Sequence, residues 1–116
     1  MQVEELERSA ALAAAQRAHE EIIRASIQWP VDIAKEARRR AEDVISTISS
    51  ALEHDATSVA RRRSLRGALV YALELATICD VAQAHGVLVL DSLRCTSRML
   101  SMLSLTYHAA AIGDDT

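Results

Sequence analysis

The chain has no phenylalanine, one tryptophan and two tyrosines, so aromatics make up only 3% of its 116 residues. It has one proline and three glycines. Sheets draw on aromatic and β-branched residues, and hairpins on glycine-rich turns. Their scarcity argues against a β fold. Too few glycines remain for a phosphate-cradling loop, and no Gly-x-Ser-x-Gly elbow occurs. The longest strongly apolar run, MLSMLSLTYHAAAI, spans 99–112. It falls short of the about 20 residues that cross a bilayer. Positive charge is not in excess: the net charge is −3, against the basic balance usual in a dedicated nucleic-acid binder. Lysine is nearly absent, since Lys35 is the one lysine among 13 basic residues. The start, MQVEELERS, is acidic where a secretory leader is basic. That sets the expectation of a cytoplasmic chain whose Cys79 and Cys95 are reduced thiols.

What is present is alanine, leucine and arginine. Hydrophobic residues reach 50% and charged residues 25%, a globular composition. Alanine and leucine cost least in a helix. The pattern predicts one all-α domain over 1–116: an antiparallel up-and-down four-helix bundle with helices near 3–26, 31–53, 59–85 and 88–111 and a frayed tail at 112–116. Trp29-Pro30 ends the first helix, because proline pushes its predecessor out of the helical region, and Pro30 suits the first turn of the second. Thr57 or Ser58 is placed to cap the third helix, and Gly86 to end it.

The expected inward stripes are Ala11, Ala15, Ala18 and Ile22; Ala34, Ala37, Ala41, Val44, Ile45, Ile48 and Leu52; Leu65, Ala68, Leu69, Ala72, Leu75, Ala76, Cys79 and Ala82; and Leu93, Thr96, Leu100, Leu103 and Tyr107. Helix 2 has an ordinary polar outer face. Helix 3 does not. Its other stripe reads Gly67, Val70, Glu74, Thr77, Ile78, Val81 and Ala84, with one charge. A helix apolar on nearly all sides is buried on nearly all sides. This predicts a subunit interface of Val70, Glu74, Thr77, Ile78 and Val81, joined by Met99, Met102 and Leu105 of helix 4. Glu74 then needs a partner, with Arg66, Arg94 and Arg98 as candidate donors. Two other roles stay open for it: a solvated groove edge or a catalytic acid.

The layout resembles a family of small four-helix bundles encoded in intervening sequences of bacterial 23S ribosomal RNA genes, related to accessory bundles of diversity-generating retroelements. The resemblance covers roughly residues 15 to 110. It is carried by Trp29-Pro30, Arg39-Arg40-Ala41, Glu74-Leu75 with Thr77, Ala82 and Gly86, and Arg98-Met99-Leu100. The stretch VISTISSALEHD and the pair Val70-Tyr71 depart from that family's pattern. The resemblance implies ring-shaped homopentamers, which would cover the second stripe of helix 3.

Two basic clusters remain: Arg38, Arg39 and Arg40 on helix 2, and Arg61, Arg62, Arg63 and Arg66 at the start of helix 3. They point either to RNA or a protein–RNA complex, or to salt bridges between subunits, with Glu4, Glu5 and Glu7 of helix 1 or with Glu36, Glu42 and Asp43. Consecutive helical residues face different directions, so a triplet cannot all reach one groove. The histidines lie one per segment, with no metal-ligand spacing among them. The expectation is a non-enzymatic, homo-oligomeric binding module with no cofactor or metal. The alternative is an adaptor that binds protein alone.

Overall fold

The computed structural model describes residues 3–55, 58–87 and 90–114, with side chains described for 10–55, 58–87 and 91–109. Its elements are α1 (Val3–Ala25), a short 3-10 turn at Ser26–Gln28, α2 (Val31–Leu52), α3 (Val59–Ala84) and α4 (Leu90–Asp114). Together they form a rod 48 × 21 × 19 Å. The fold is all-helical, a packed four-helix bundle.

Helix directions follow from the contacts. Arg38 of α2 reaches Ser26 at the end of α1, while Glu42, farther along α2, lies near His19, farther back on α1. Arg40 meets Glu74, and Thr47 lies beside Gly67. In both pairs the numbers rise on α2 as they fall on the neighbouring helix. Arg24 meets Asp91, and Ala10 to Arg17 share a groove with Arg98 and Met102, so α4 runs against α1. Each helix therefore packs on two neighbours, in the order α1, α2, α3, α4 and back to α1.

The breaks are where local chemistry demands them. Trp29 is extended (φ −85, ψ 159), as a residue before proline must be. Pro30 is the N-cap of α2, which starts at Val31 as expected, and its carbonyl accepts from Ala34 N at 2.9 Å. The Ser58 hydroxyl accepts the Arg61 N–H at 3.1 Å and caps α3. Thr57, the other candidate cap, lies outside the described residues. Gly86 takes φ +82, the left-handed stop that glycine tolerates best. The last helix departs from expectation. It runs through Gly113 to Asp114, where a frayed tail was expected from 112.

The core holds many alanines: Ala11, Ala14, Ala15 and Ala18 on α1, Ala34, Ala37 and Ala41 on α2, Ala68, Ala72 and Ala82 on α3. Small side chains let the helices approach closely. Larger ones fill the layers between: Ile22, Val44, Ile48, Leu65, Leu75, Met99 and Leu103 are fully buried. The inner stripes of α1, α2 and α3 lie largely where periodicity places them, although Leu52 at the end of α2 is exposed.

The inner face of α4 is rotated by about one residue from the expected one. It is Ser92, Thr96, Met99, Leu103 and Thr106. Thr96 Oγ1 donates to the Ser92 carbonyl at 2.7 Å, and Thr106 Oγ1 to the Met102 carbonyl at 2.9 Å. Threonines that satisfy their hydroxyls on their own helix can be buried at little cost.

Gly67 lies inside α3, where glycine costs about 0.5–1 kcal/mol relative to alanine. A Cβ there would meet Thr47 Cγ2 at 3.4 Å, an ordinary contact. Gly67→Ala is expected to raise stability by about 0.5–1 kcal/mol, read as a higher midpoint of urea unfolding. A lower midpoint would mean that the α2–α3 spacing requires the missing Cβ.

Candidate self-association face on α2 and α3

Arg40 organises one long side of the bundle. It is half-buried, and its Nε donates to Glu74 Oε2 at 2.6 Å. Its Nη1 donates to Asp43 Oδ2 at 3.3 Å, and its Nη2 lies 3.8 Å from Glu36 Oε2. Its guanidinium carbon stands 5.9 Å from the Tyr71 ring centroid. Three carboxylates from two helices thus share one planar cation, a geometry that arginine's forked donors suit and lysine's do not. Beside them lies a groove of about 330 Å³, lined by Glu36, Arg40, Glu74, Thr77 and Ile78.

This settles the partner of Glu74. The donor is Arg40, not Arg66, Arg94 or Arg98. The carboxylate is at a groove edge and not enclosed. The antiparallel register of α2 on α3 brings residue 40 level with residue 74, and sequence periodicity on a single helix carries no information about that register.

The network is an arginine holding carboxylates apart. Arg40→Gln is expected to cost about 1–2 kcal/mol, since it leaves Glu36, Asp43 and Glu74 facing one another. Urea unfolding at low and high salt checks this: the loss should shrink in high salt, which screens the uncovered repulsion.

Next to the network runs the outer face of α3. Val70 is 47% exposed, Leu73 57% and Val81 44%, with Thr77 exposed among them. Thr77 Oγ1 donates to the Leu73 carbonyl at 3.1 Å, so the hydroxyl adds little polarity to the stripe. Four of the expected interface positions, Val70, Glu74, Thr77 and Val81, lie on this side, and Ile78 lies at its edge, packed partly on the core. Leu73, the most exposed large side chain of the stripe, is absent from the expected set. Its spacing three residues after Val70 was the available signal.

The α4 positions do not join them. Met99 is fully buried in the protomer's own core, a correction that follows from the rotation of α4. Met102 packs partly on the core and lines a separate groove of about 170 Å³ with Ala10, Ala13, Ala14, Arg17 and Arg98. Leu105 is exposed, three residues along α4 from Met102. The expected single interface is therefore two separate surfaces.

The basic clusters are divided as well. Arg38 Nε donates to Ser26 Oγ at 2.9 Å and ties α2 to the end of α1. Arg40 is committed to its carboxylates. Arg61 is buried, at 3% exposure, and cannot face a phosphate. Arg62 is half-buried and engaged within the chain. Arg39, Arg63 and Arg66 are exposed. Arg39 stands on α2 among Lys35, Glu36 and Glu42, and α2–α3 pairing sets it about 13 Å along the rod from Arg66.

The thiols differ. Burial pushes Cys79 up from its ordinary 9.0 to about 11, opposed by a hydrogen bond with Thr96 and aided by nearby Asp80. Partial burial, then Glu21, also raises Cys95. Arg24 is held above its ordinary range by its hydrogen bond with Glu21. Among the described residues, no group of three or more His, Cys, Asp and Glu side chains could hold a metal ion, and no helix is long and apolar enough to cross a membrane.

No known protein family, curated protein or solved structure matches the chain.

Proposed function

We propose that this protein is a non-enzymatic binding module that works by self-association, with the outer face of α3 as its contact surface. The observation that carries this reading is the exposed stripe Val70, Leu73, Thr77 and Val81 beside the Arg40–Glu74 pair. Apolar side chains kept in water along one face mark an interaction site. The arginine–carboxylate cluster at its edge supplies the polar rim that such patches carry. The homopentameric ring implied by the family resemblance is one assembly that would cover this face.

Sedimentation across a wide range of protein concentration tests the reading. The wild-type chain is expected to gain mass as concentration rises. Leu73→Glu is expected to stay monomeric with its helical content unchanged. A wild-type chain that remains a monomer throughout would remove self-association as its mode of action.

A second reading is RNA contact through Arg39, Arg63 and Arg66. Its support is that Arg63 and Arg66 are exposed one turn apart, near the positive end of α3. It requires binding that weakens steeply with salt and weakens further in Arg63→Glu. Absence of RNA binding even at low salt would eliminate it. The net charge of −3 and the internal use of Arg38, Arg40 and Arg61 favour the protein-binding reading.

A further inference from the structure

We propose that the outer stripe of α3 closes on the same stripe of a second copy, antiparallel, about a two-fold axis at Leu73. This rests on the self-association reading and specifies its geometry. Arg66, Leu73 and Asp80 are each seven residues apart and all exposed. A seven-residue step returns a helix to nearly the same face. Reversing α3 about Leu73 therefore lays Arg66 of one copy on the Asp80 position of the other, and the contact is made twice. Leu73 lies on the axis, and exposed Val70 and Thr77 flank it on the stripe, three residues before it and four after it.

Charge selects this orientation. The arginines Arg62, Arg63 and Arg66 lie at the beginning of α3, and the acids Glu74 and Asp80 lie in its second half. A parallel pair would set arginine against arginine and Asp80 against Asp80. The antiparallel pair sets unlike charges together, and it opposes the helix dipoles. Among the described residues, neither Arg66 nor Asp80 has an ion-pair partner within its own chain. A self-complementary patch of this kind is what a two-fold interface requires. The stripe from Arg66 to Asp80 is about 21 Å long. A contact of that length is small for a specific interface, which predicts a concentration-dependent dimer.

Two measurements on the whole chain test the geometry. In sedimentation, Arg66→Glu and Asp80→Arg are each expected to raise the dimer Kd about tenfold or more, because each places like charges together twice. The double variant restores opposite charges and is expected to return to within about threefold of wild type. In a Cys95→Ser background, Leu73→Cys is expected to form a disulfide-linked dimer on mild oxidation, since a residue on the axis meets its own copy. A wild-type chain that never assembles defeats both this geometry and the reading beneath it. Assembly without charge-swap rescue and without the Leu73→Cys cross-link overturns the two-fold geometry alone, and leaves a head-to-tail ring as the arrangement.

Discussion

Replacing Leu75 with alanine is expected to remove about 2–5 kcal/mol of stability, whereas the same replacement at Leu73 changes the dilute protomer by about 0.5 kcal/mol or less. The two leucines are two residues apart on one helix. Leu75 is 0% exposed and lies in the centre of the bundle among Ala68, Ala72 and Cys79, whereas Leu73 is 57% exposed. Truncating Leu75 removes buried methyl groups and leaves a cavity that close-packed neighbours refill only in part. An alanine-rich core has few long side chains able to swing into the gap. A domain of this size has about 5–15 kcal/mol in total, so the loss would be read as a fall in Tm of roughly 10–20 °C. Leu73→Ala should act instead on assembly, raising the concentration at which mass increases. Equal destabilisation by the two variants in dilute urea titrations would reverse the assignment of inner and outer faces on α3.

Alkali is expected to weaken the fold through Cys79. The thiol is neutral while protonated, and burial holds its folded value at about 11 against an ordinary 9.0. Below about pH 9 both folded and unfolded chains keep the proton, so the contribution to stability is fully present. Between about 9 and 11 the unfolded chain loses its proton while the folded chain keeps it. The unfolded state then binds fewer protons, and stability falls as pH rises. The total over that window is on the order of 2–3 kcal/mol. Urea midpoints measured from pH 8 to 11 should decline more steeply for the wild type than for Cys79→Ala, which lacks the titrating group. The alanine variant is expected to begin lower, because it leaves a small cavity, and the two curves should converge in alkali. Parallel curves would mean that Cys79 titrates normally. Thiol labelling of the native protein gives an independent check: half-exposed Cys95 reacts first, and Cys79 only after unfolding.

These expectations differ in how much of their basis the sequence held. Leu75 and Cys79 were legible as core positions, because α3 repeats apolar residues at helical spacing from Leu65 to Ala82. Leu73 was legible in principle by the same spacing. Met99 was not, because the inner face of α4 is partly hydroxyl: Thr96 was read as inward, but Ser92 and Thr106 read as polar, and only the fold shows Thr106 bonding to a carbonyl of its own helix. Arg40 was not legible as the partner of Glu74 either. Every arginine offers the same charge to a sequence, and only the sliding register of α2 against α3 decides which one arrives at 2.6 Å.

By itself, the sequence determined that the chain is helical, where the turns fall and which faces of α1, α2 and α3 turn inward. Those properties rest on interactions within a turn or two of the same helix: propensity, the Trp29-Pro30 break, the Ser58 cap and the left-handed Gly86. Tertiary structure alone decided the rotation of α4, the division of one expected interface into two surfaces, and the withdrawal of Arg38, Arg40 and Arg61 from the basic clusters. These depend on how neighbouring helices slide and rotate until buried side chains interlock and long arginines find acceptors across the gap, and no single helix encodes that adjustment.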